Sequence, residues 1–303
     1  MVSGTWCLSA FKPPTRNGIG PSCVALPPGP WPSLLDFLAE RFPNVSRSTW
    51  LERMARGDVL SETGIPVTTV PYLAHQKIYY YREVANEPRI PFDEVLLFED
   101  AHLIVVDKPH FLPVVPSGGY LSETVLVRLK NRLGLDDLVP IHRIDRDTAG
   151  LVMFSKQPAS RAAYCALFSQ HAVRKTYQAI APWRADLSFP ITRQSRIQEA
   201  GHFMLQQEVS GPINAITHID VLEVRGDLAR YQLKPVTGQR HQLRVHMLGL
   251  GLPLLHDGLY PTLTPEEQLD YAKPLQLLAK ELVFTDPVSG IERRFQSSRS
   301  LMF

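Results

Sequence analysis

Three segments of the 303-residue chain hold side chains whose types and spacing could do chemistry. The first is His142-Arg143-Ile144-Asp145-Arg146-Asp147-Thr148-Ala149-Gly150, set between Pro140 and the apolar run Leu151 to Phe154. Charged residues crowded against a buried strand read as a functional loop on a rigid support. The second, Lys175-Thr176-Tyr177-Gln178-Ala179, reads as a strand whose period of two puts Lys175, Tyr177 and Ala179 on one face. The third runs from Thr237 to His246 and predicts a helix capped by Thr237, with Leu243, Met247 and Leu250 as its buried stripe. On that helix Arg240 and Arg244 would share another face one turn apart. His241 and His246 are five apart, which fits neither a strand pair nor the i, i+4 register of a zinc-binding helix. No glycine-rich dinucleotide or phosphate loop and no Gly-x-Ser-x-Gly elbow is present. Metal, nucleotide and acyl-enzyme chemistry therefore lose weight.

The elements that must position these residues follow from periodicity. Leu34, Leu35 and Leu38 predict a helix over Ser33 to Arg41, and Trp50, Leu51 and Met54 a second over Ser46 to Arg56, ended by Gly57. Strands are expected at Val95 to Phe98, Leu103 to Val106, Leu151 to Phe154 and Lys175 to Ile180, and helices over Ser122 to Leu133 and Ala159 to Phe168. Residues 1–30 contain a Pro/Gly-rich stretch and are read as an extended or mobile arm, 31–90 as a small module, and 91–303 as the main domain. A hydrophobic fraction of 44% suffices for a packed core. The net charge of +2 leaves nucleic-acid binding to a local groove. Cys7, Cys23 and Cys165 are expected to be free thiols, and no apolar run approaches the ~20 residues of a membrane span. Met1 to Ala10 lacks a basic start and an apolar run, so the expectation is a cytoplasmic, membrane-free protein without a secretory signal, with a monomer as the default.

Taken together and in order, the three segments resemble the signature set of RluA-type pseudouridine synthases. The first resembles the family's His-Arg-Leu-Asp-x-x-Thr-Ser-Gly loop, the second its Lys-x-Tyr-x-Ala strand, and the third its Thr-Gly-Arg-x-His-Gln-Ile-Arg-Val-His segment. Asp107-Lys108-Pro109, the turn His256 to Tyr260, and Leu275 to Phe284 as a closing helix and strand extend the likeness from about Pro91 to the C-terminus. The departures are Ile144 for Leu, Ala149 for Ser, and Gln239-Arg240 for Arg-Thr.

The resemblance implies an α+β catalytic domain around a mixed, mostly antiparallel sheet, acting on structured ribosomal or transfer RNA without a cofactor or metal. It implies that Asp145 acts on a flipped uridine as nucleophile or base and that Arg244 pairs with it. Tyr177 would stack on the base, Arg143 would fill the vacated stack, and Leu243 would line the pocket. The chemistry agrees: extruding a base costs roughly a few kcal/mol, and an arginine keeps a neighbouring carboxylate ionised because it does not lose its proton. Residues from about Trp31 to Tyr81 resemble an alpha-L RNA-binding module through Leu34 to Leu38, Ser46-Arg47-Ser48 and Gly57-Asp58-Val59, with Arg47, Arg53 and Arg56 as phosphate contacts. Competing expectations are a non-catalytic RNA-binding factor on this fold and a hydrolase using Asp145 and Asp147.

Overall fold

In the computed structural model, side-chain caps start the first two helices where the sequence places them. The structure describes residues 11, 13–84, 86–265 and 270–303. Met1 to Ala10, and with them Cys7 and the stretch read for a secretory signal, lie outside the described residues. The chain divides into two compact units, Met1–Glu87 and Pro88–Phe303.

In the first unit, Ser33 accepts the Asp36 N–H to begin α1 (Leu34–Arg41), and Ser46 accepts that of Thr49 to begin α2 (Arg47–Ala55). Leu34, Leu35, Phe37, Leu38, Trp50 and Met54 are buried in one cluster. A three-stranded antiparallel sheet, ordered β1-β3-β2, completes the unit, with β1 at Ser22–Ala25, β2 at Val59–Ser61 and β3 at Lys77–Tyr80. The expected free arm is thus corrected from Ser22 onward. Four residues between the prolines pair along β3, because their backbone N–H groups are free to do so. The arginines expected to meet phosphate are also engaged. Arg47 pairs with Asp36 at 2.6 Å, and Arg56 with Asp58 at 2.9 Å and Glu83 at 2.7 Å. Arg53 is buried with its guanidinium 5.1 Å from the Trp50 ring.

The second unit is α+β. It comprises β4 (Val95–Glu99), β5 (Leu103–Lys108), α3 (Val125–Leu133), β6 (Val139–Pro140), β7 (Ala149–Ser155), α4 (Pro158–Ser169) and β8 (Arg174–Pro182). It continues with β9 (Ile191–Glu199), β10 (Gln206–Val209), β11 (Ala215–Arg225), β12 (Leu228–Pro235), α5 (Gln242–Gly249), β13 (Leu277–Thr285) and β14 (Glu292–Gln296). The sheet runs β10-β9-β11-β12-β8-β13-β7-β5-β4, with β6 on β7 and β14 on β13. Among these pairs only β13 with β7 is parallel. Every residue of β5 and β7 is buried, as continuous apolar strands covered on both faces must be. Val125 and Leu129 of α3 pack with Ile104, Val106, Val152 and Phe154 on one side, and Tyr164 of α4 with Leu103, Val105, Leu151 and Met153 on the other. Leu243 and Met247 of α5 pack on Ala179, Ala181 and Leu233.

Two expectations fail here. Leu275 to Phe284 holds no helix, because the run lies between β8 and β7 and its apolar continuity serves a two-faced strand. Thr237 does not cap α5: its hydroxyl accepts the Ile216 N–H and donates to Gln242 Oε1. The helix begins at Gln242 after His241 at φ 55°, so Arg240 precedes it and shares no helix face with Arg244.

Gly150 sets the central register. It takes φ +109°, and a Cβ there would meet the Ala279 carbonyl oxygen at 2.2 Å. Only glycine lets β7 approach β13 this closely. Ala279 is the Cα partner of both Gly150 and Tyr177, which carries the loop ahead of β7 to the Tyr177 side of the sheet.

Candidate active site

The polar loop leading into β7 is held from beneath. Lys108, wholly buried at the end of β5, donates Nζ to the carbonyls of Pro109 at 2.9 Å and Arg146 at 2.8 Å. Burial lowers the Lys108 pKa to about 7, against the charges of Asp147 and Asp145. His110 Nδ1 lies 2.7 Å from the Asp147 carbonyl, and His142 Nε2 accepts the Met153 N–H at 3.1 Å while stacking on Phe168. Burial drives His142 down to about 3, so it serves as a neutral acceptor.

Asp145, 28% exposed, receives Arg244 Nη1 on Oδ2 at 3.2 Å. The Arg244 side chain is itself 1% exposed and is held by a second carboxylate. Its Nε donates to Asp257 Oδ2 at 2.9 Å and its Nη2 to Asp257 Oδ1 at 2.5 Å. Asp257 Oδ1 also accepts the backbone N–H groups of Leu259 and Tyr260 at 2.8 and 3.0 Å. The fork is therefore aimed before any ligand arrives. His241 Nε2 stands 3.8 Å from Asp145 Oδ1, and its Nδ1 lies 2.9 Å from the Tyr260 hydroxyl. Tyr260 in turn accepts the Gln206 N–H at 2.8 Å.

Burial acts to raise the Asp145 pKa, but the positive field of His241, Arg244 and Lys108 and the Arg244 hydrogen bond outweigh it and hold the carboxyl below its usual range. Of these cations only Arg244 keeps its charge at every working pH, since burial pulls His241 below the usual imidazole value. Tyr177 packs against the cluster containing Leu243, and its hydroxyl makes no hydrogen bond with the described residues. Burial, then the Asp145 charge, raise the Tyr177 pKa, so it stands as a neutral phenol. Among the described residues no group of His, Cys, Asp and Glu could hold a metal ion. The arrangement offers an ionised carboxylate with one oxygen tied to Arg244, near enough to Tyr177 for its charge to act on that phenol.

Known proteins are similar to this chain. The RNA pseudouridylate synthase family model matches residues 102–248. A dual-specificity RNA pseudouridine synthase RluA of Haemophilus influenzae is 31% identical over 223 residues, covering 70% of this chain and 95% of that protein. The chain belongs to the RluA-type RNA pseudouridine synthase family. A ribosomal large subunit pseudouridine synthase D of Vibrio parahaemolyticus is 30% identical over 285 residues, covering 86% of this chain and 85% of that protein. The solved structure of human RNA pseudouridylate synthase domain containing 4 shares 26% identity and a TM-score of 0.52, covering 68% of this chain and 88% of that one. Human RNA pseudouridylate synthase domain containing 1, at 20% identity and TM-score 0.56 over 72% of this chain and 86% of that one, supports the fold.

This RNA pseudouridine synthase is thus an isomerase. Its fold brings Asp145 to Arg244, and Tyr177 to Leu243. Arg143 is exposed on the same loop and hydrogen bonds with none of the described residues. Sequence reasoning gave no role to Asp257, the main partner of Arg244. The signal was the turn His256 to Tyr260, which the family likeness marked without saying what the aspartate holds. Likewise Lys108 reads as a strand end, and only the coordinates show it fastening the loop.

Proposed function

We propose that this enzyme converts specific uridines of structured ribosomal or transfer RNA to pseudouridine, with Asp145 as the group that acts on the flipped nucleoside. The observation that carries this is the Asp257–Arg244–Asp145 line, which holds an ionised carboxylate by one oxygen, near enough to Tyr177 for its charge to act on that phenol. Arg244 ties Oδ2 and leaves Oδ1 to act. The N1–C1′ glycosidic bond breaks, the base turns, a C5–C1′ bond forms, the C5 proton leaves and N1 is protonated. Atoms balance with no redox partner. Tyr177 supplies the face on which the base turns, and as a neutral phenol it cannot act as a phenolate base near pH 7. Arg143 enters the gap left by the extruded uridine, a task suited to a flat cation.

The N-terminal unit is read as the alpha-L RNA-binding module, where phosphates would compete with Asp36, Asp58 and Glu83 for Arg47 and Arg56. The enzyme is read as a cytoplasmic monomer. Cys23 and Cys165 are free thiols, and among the described residues no helix is long and apolar enough to cross a membrane.

The deciding experiment maps pseudouridine in RNA from cells with and without the gene, and repeats it with purified protein. Uridines modified only in the presence of the protein, and lost with Asp145→Asn and Asp145→Ala, are expected. Full activity in either variant removes Asp145 from the mechanism, and release of free uracil points to a hydrolase.

A further inference from the structure

The turn joining β9 to β10 takes no part in the chemistry described above. Phe203 at its tip is 68% exposed, the most exposed large apolar side chain among the described residues. A single apolar residue on a surface is ordinary, but this ring is held in place. The His202 imidazole lies along it, centroids 4.9 Å apart and planes 29° from parallel. His202 Nδ1 accepts the Met204 N–H at 3.3 Å. The Leu205 N–H reaches the His202 carbonyl at 2.8 Å, and the Ala200 N–H the Leu205 carbonyl at 3.0 Å. From the loop before α5, Arg240 donates to the carbonyls of Phe203 at 2.9 Å and Met204 at 3.3 Å. The next residue is His241, whose Nε2 stands 3.8 Å from Asp145. One dipeptide therefore both fastens the hairpin tip and faces the carboxylate. Arg240 also stands at the one position the family segment leaves open, so this anchor belongs to the chain and not to the shared motif.

We propose that the His202–Phe203 pair is a stacking platform for an unpaired nucleobase flanking the target uridine in the RNA substrate. This rests on the uridine-isomerase reading above and adds a contact to it. Extruding one nucleotide unstacks its neighbours and exposes their faces. A hairpin tip already fixed by backbone hydrogen bonds, with its ring resting on an imidazole, loses less freedom when a base settles on it than a free loop would. The Arg240 charge, spent on carbonyl groups and not on a carboxylate, adds a positive field for the adjoining phosphates.

The test compares Phe203→Ala, Phe203→Leu and Phe203→Trp in the full chain, using an RNA fragment that the parent enzyme modifies. Phe203→Ala is expected to raise KM, and the RNA Kd measured in an Asp145→Asn background, roughly tenfold. The kcat should stay within about twofold, because no reacting atom is touched. Phe203→Trp should restore the parental KM and Phe203→Leu should not. A parental KM in Phe203→Ala, or full rescue by leucine, overturns the platform. So does a dimer that Phe203→Ala dissociates while KM stays unchanged, which would assign the ring to a second copy of the chain. A parent enzyme that makes no pseudouridine on any RNA sinks the isomerase reading itself, and Asp145→Asn would then be indistinguishable from it.

Discussion

Arg244 serves two carboxylates, and they are not equivalent. Asp257 makes two hydrogen bonds to the guanidinium in a site where both side chains are 1% exposed, whereas Asp145 makes one and is 28% exposed. Removing Asp257 leaves a buried cation with only the Asp145 bond, so Asp257→Ala is expected to lower stability by about 3–5 kcal/mol and to abolish product. Asp145→Asn keeps an acceptor toward Arg244 and leaves Asp257 in place. It should abolish product while changing stability by about 1 kcal/mol or less. Urea unfolding of both variants alongside single-turnover assays separates the two. Equal destabilisation by the pair would contradict the division of labour between holder and actor. Arg244→Lys is expected to fail in both respects, since an ammonium cannot span Asp257 as a fork while reaching Asp145.

The loop reaches the active side of the sheet because β7 and β13 lie in contact at Gly150. Gly150→Ala should separate them: its Cβ would press on the Ala279 carbonyl at 2.2 Å, and φ +109° disfavours any side chain. A loss of more than about 2 kcal/mol is expected, together with a fall in kcat, because Tyr177 shares Ala279 as its register partner. A thermal midpoint equal to the parent would show that the strands can separate freely. Gly150 was legible in the sequence as the last residue of the loop motif, and Asp145, Tyr177 and Arg244 were legible beside it, since each lies in a short segment of unusual composition. The strands Ile191–Glu199 and Ala215–Arg225 were not. Their burial alternates or is slight, with residues such as Arg193, Gln194 and Arg196 among them, so no apolar run announces them. The strand Ser22–Ala25 was hidden by flanking prolines, and its pairing partner lies some fifty residues downstream. Asp257 was invisible as a partner for the same reason: nothing local distinguishes an aspartate that closes its own turn from one that also holds a buried arginine.

Across the whole molecule, the buried titratable groups give stability a direction with pH. His142 is pulled to about 3, and His110 and His246 to about 4, each mainly by burial. Unfolded, all three would titrate near 6.5. Between those values the unfolded chain binds more protons than the folded one, so stability falls as pH drops from about 6.5, by up to ~1.4 kcal/mol per unit for each such histidine. Asp145, Glu208 and Asp286 have lowered pKa values in the folded state. They contribute stability above the ordinary carboxylate range and lose it as pH falls through their folded values, which steepens the same decline further down. Lys108 extends the trend upward. Its folded pKa of about 7 lies below the unfolded 10.5, so its burial penalty is relieved as pH rises from 7 toward 10. Thermal midpoints are therefore expected to climb from pH 4 through pH 7 and to hold or rise slightly toward pH 9. Lys108→Met should flatten the upper part of that curve and leave the acid limb in place, while His142→Gln, which keeps an acceptor for the Met153 N–H, should soften the acid limb alone. An acid limb unchanged in His142→Gln would mean that the carboxylates, and not the buried imidazoles, set the lower boundary of the fold.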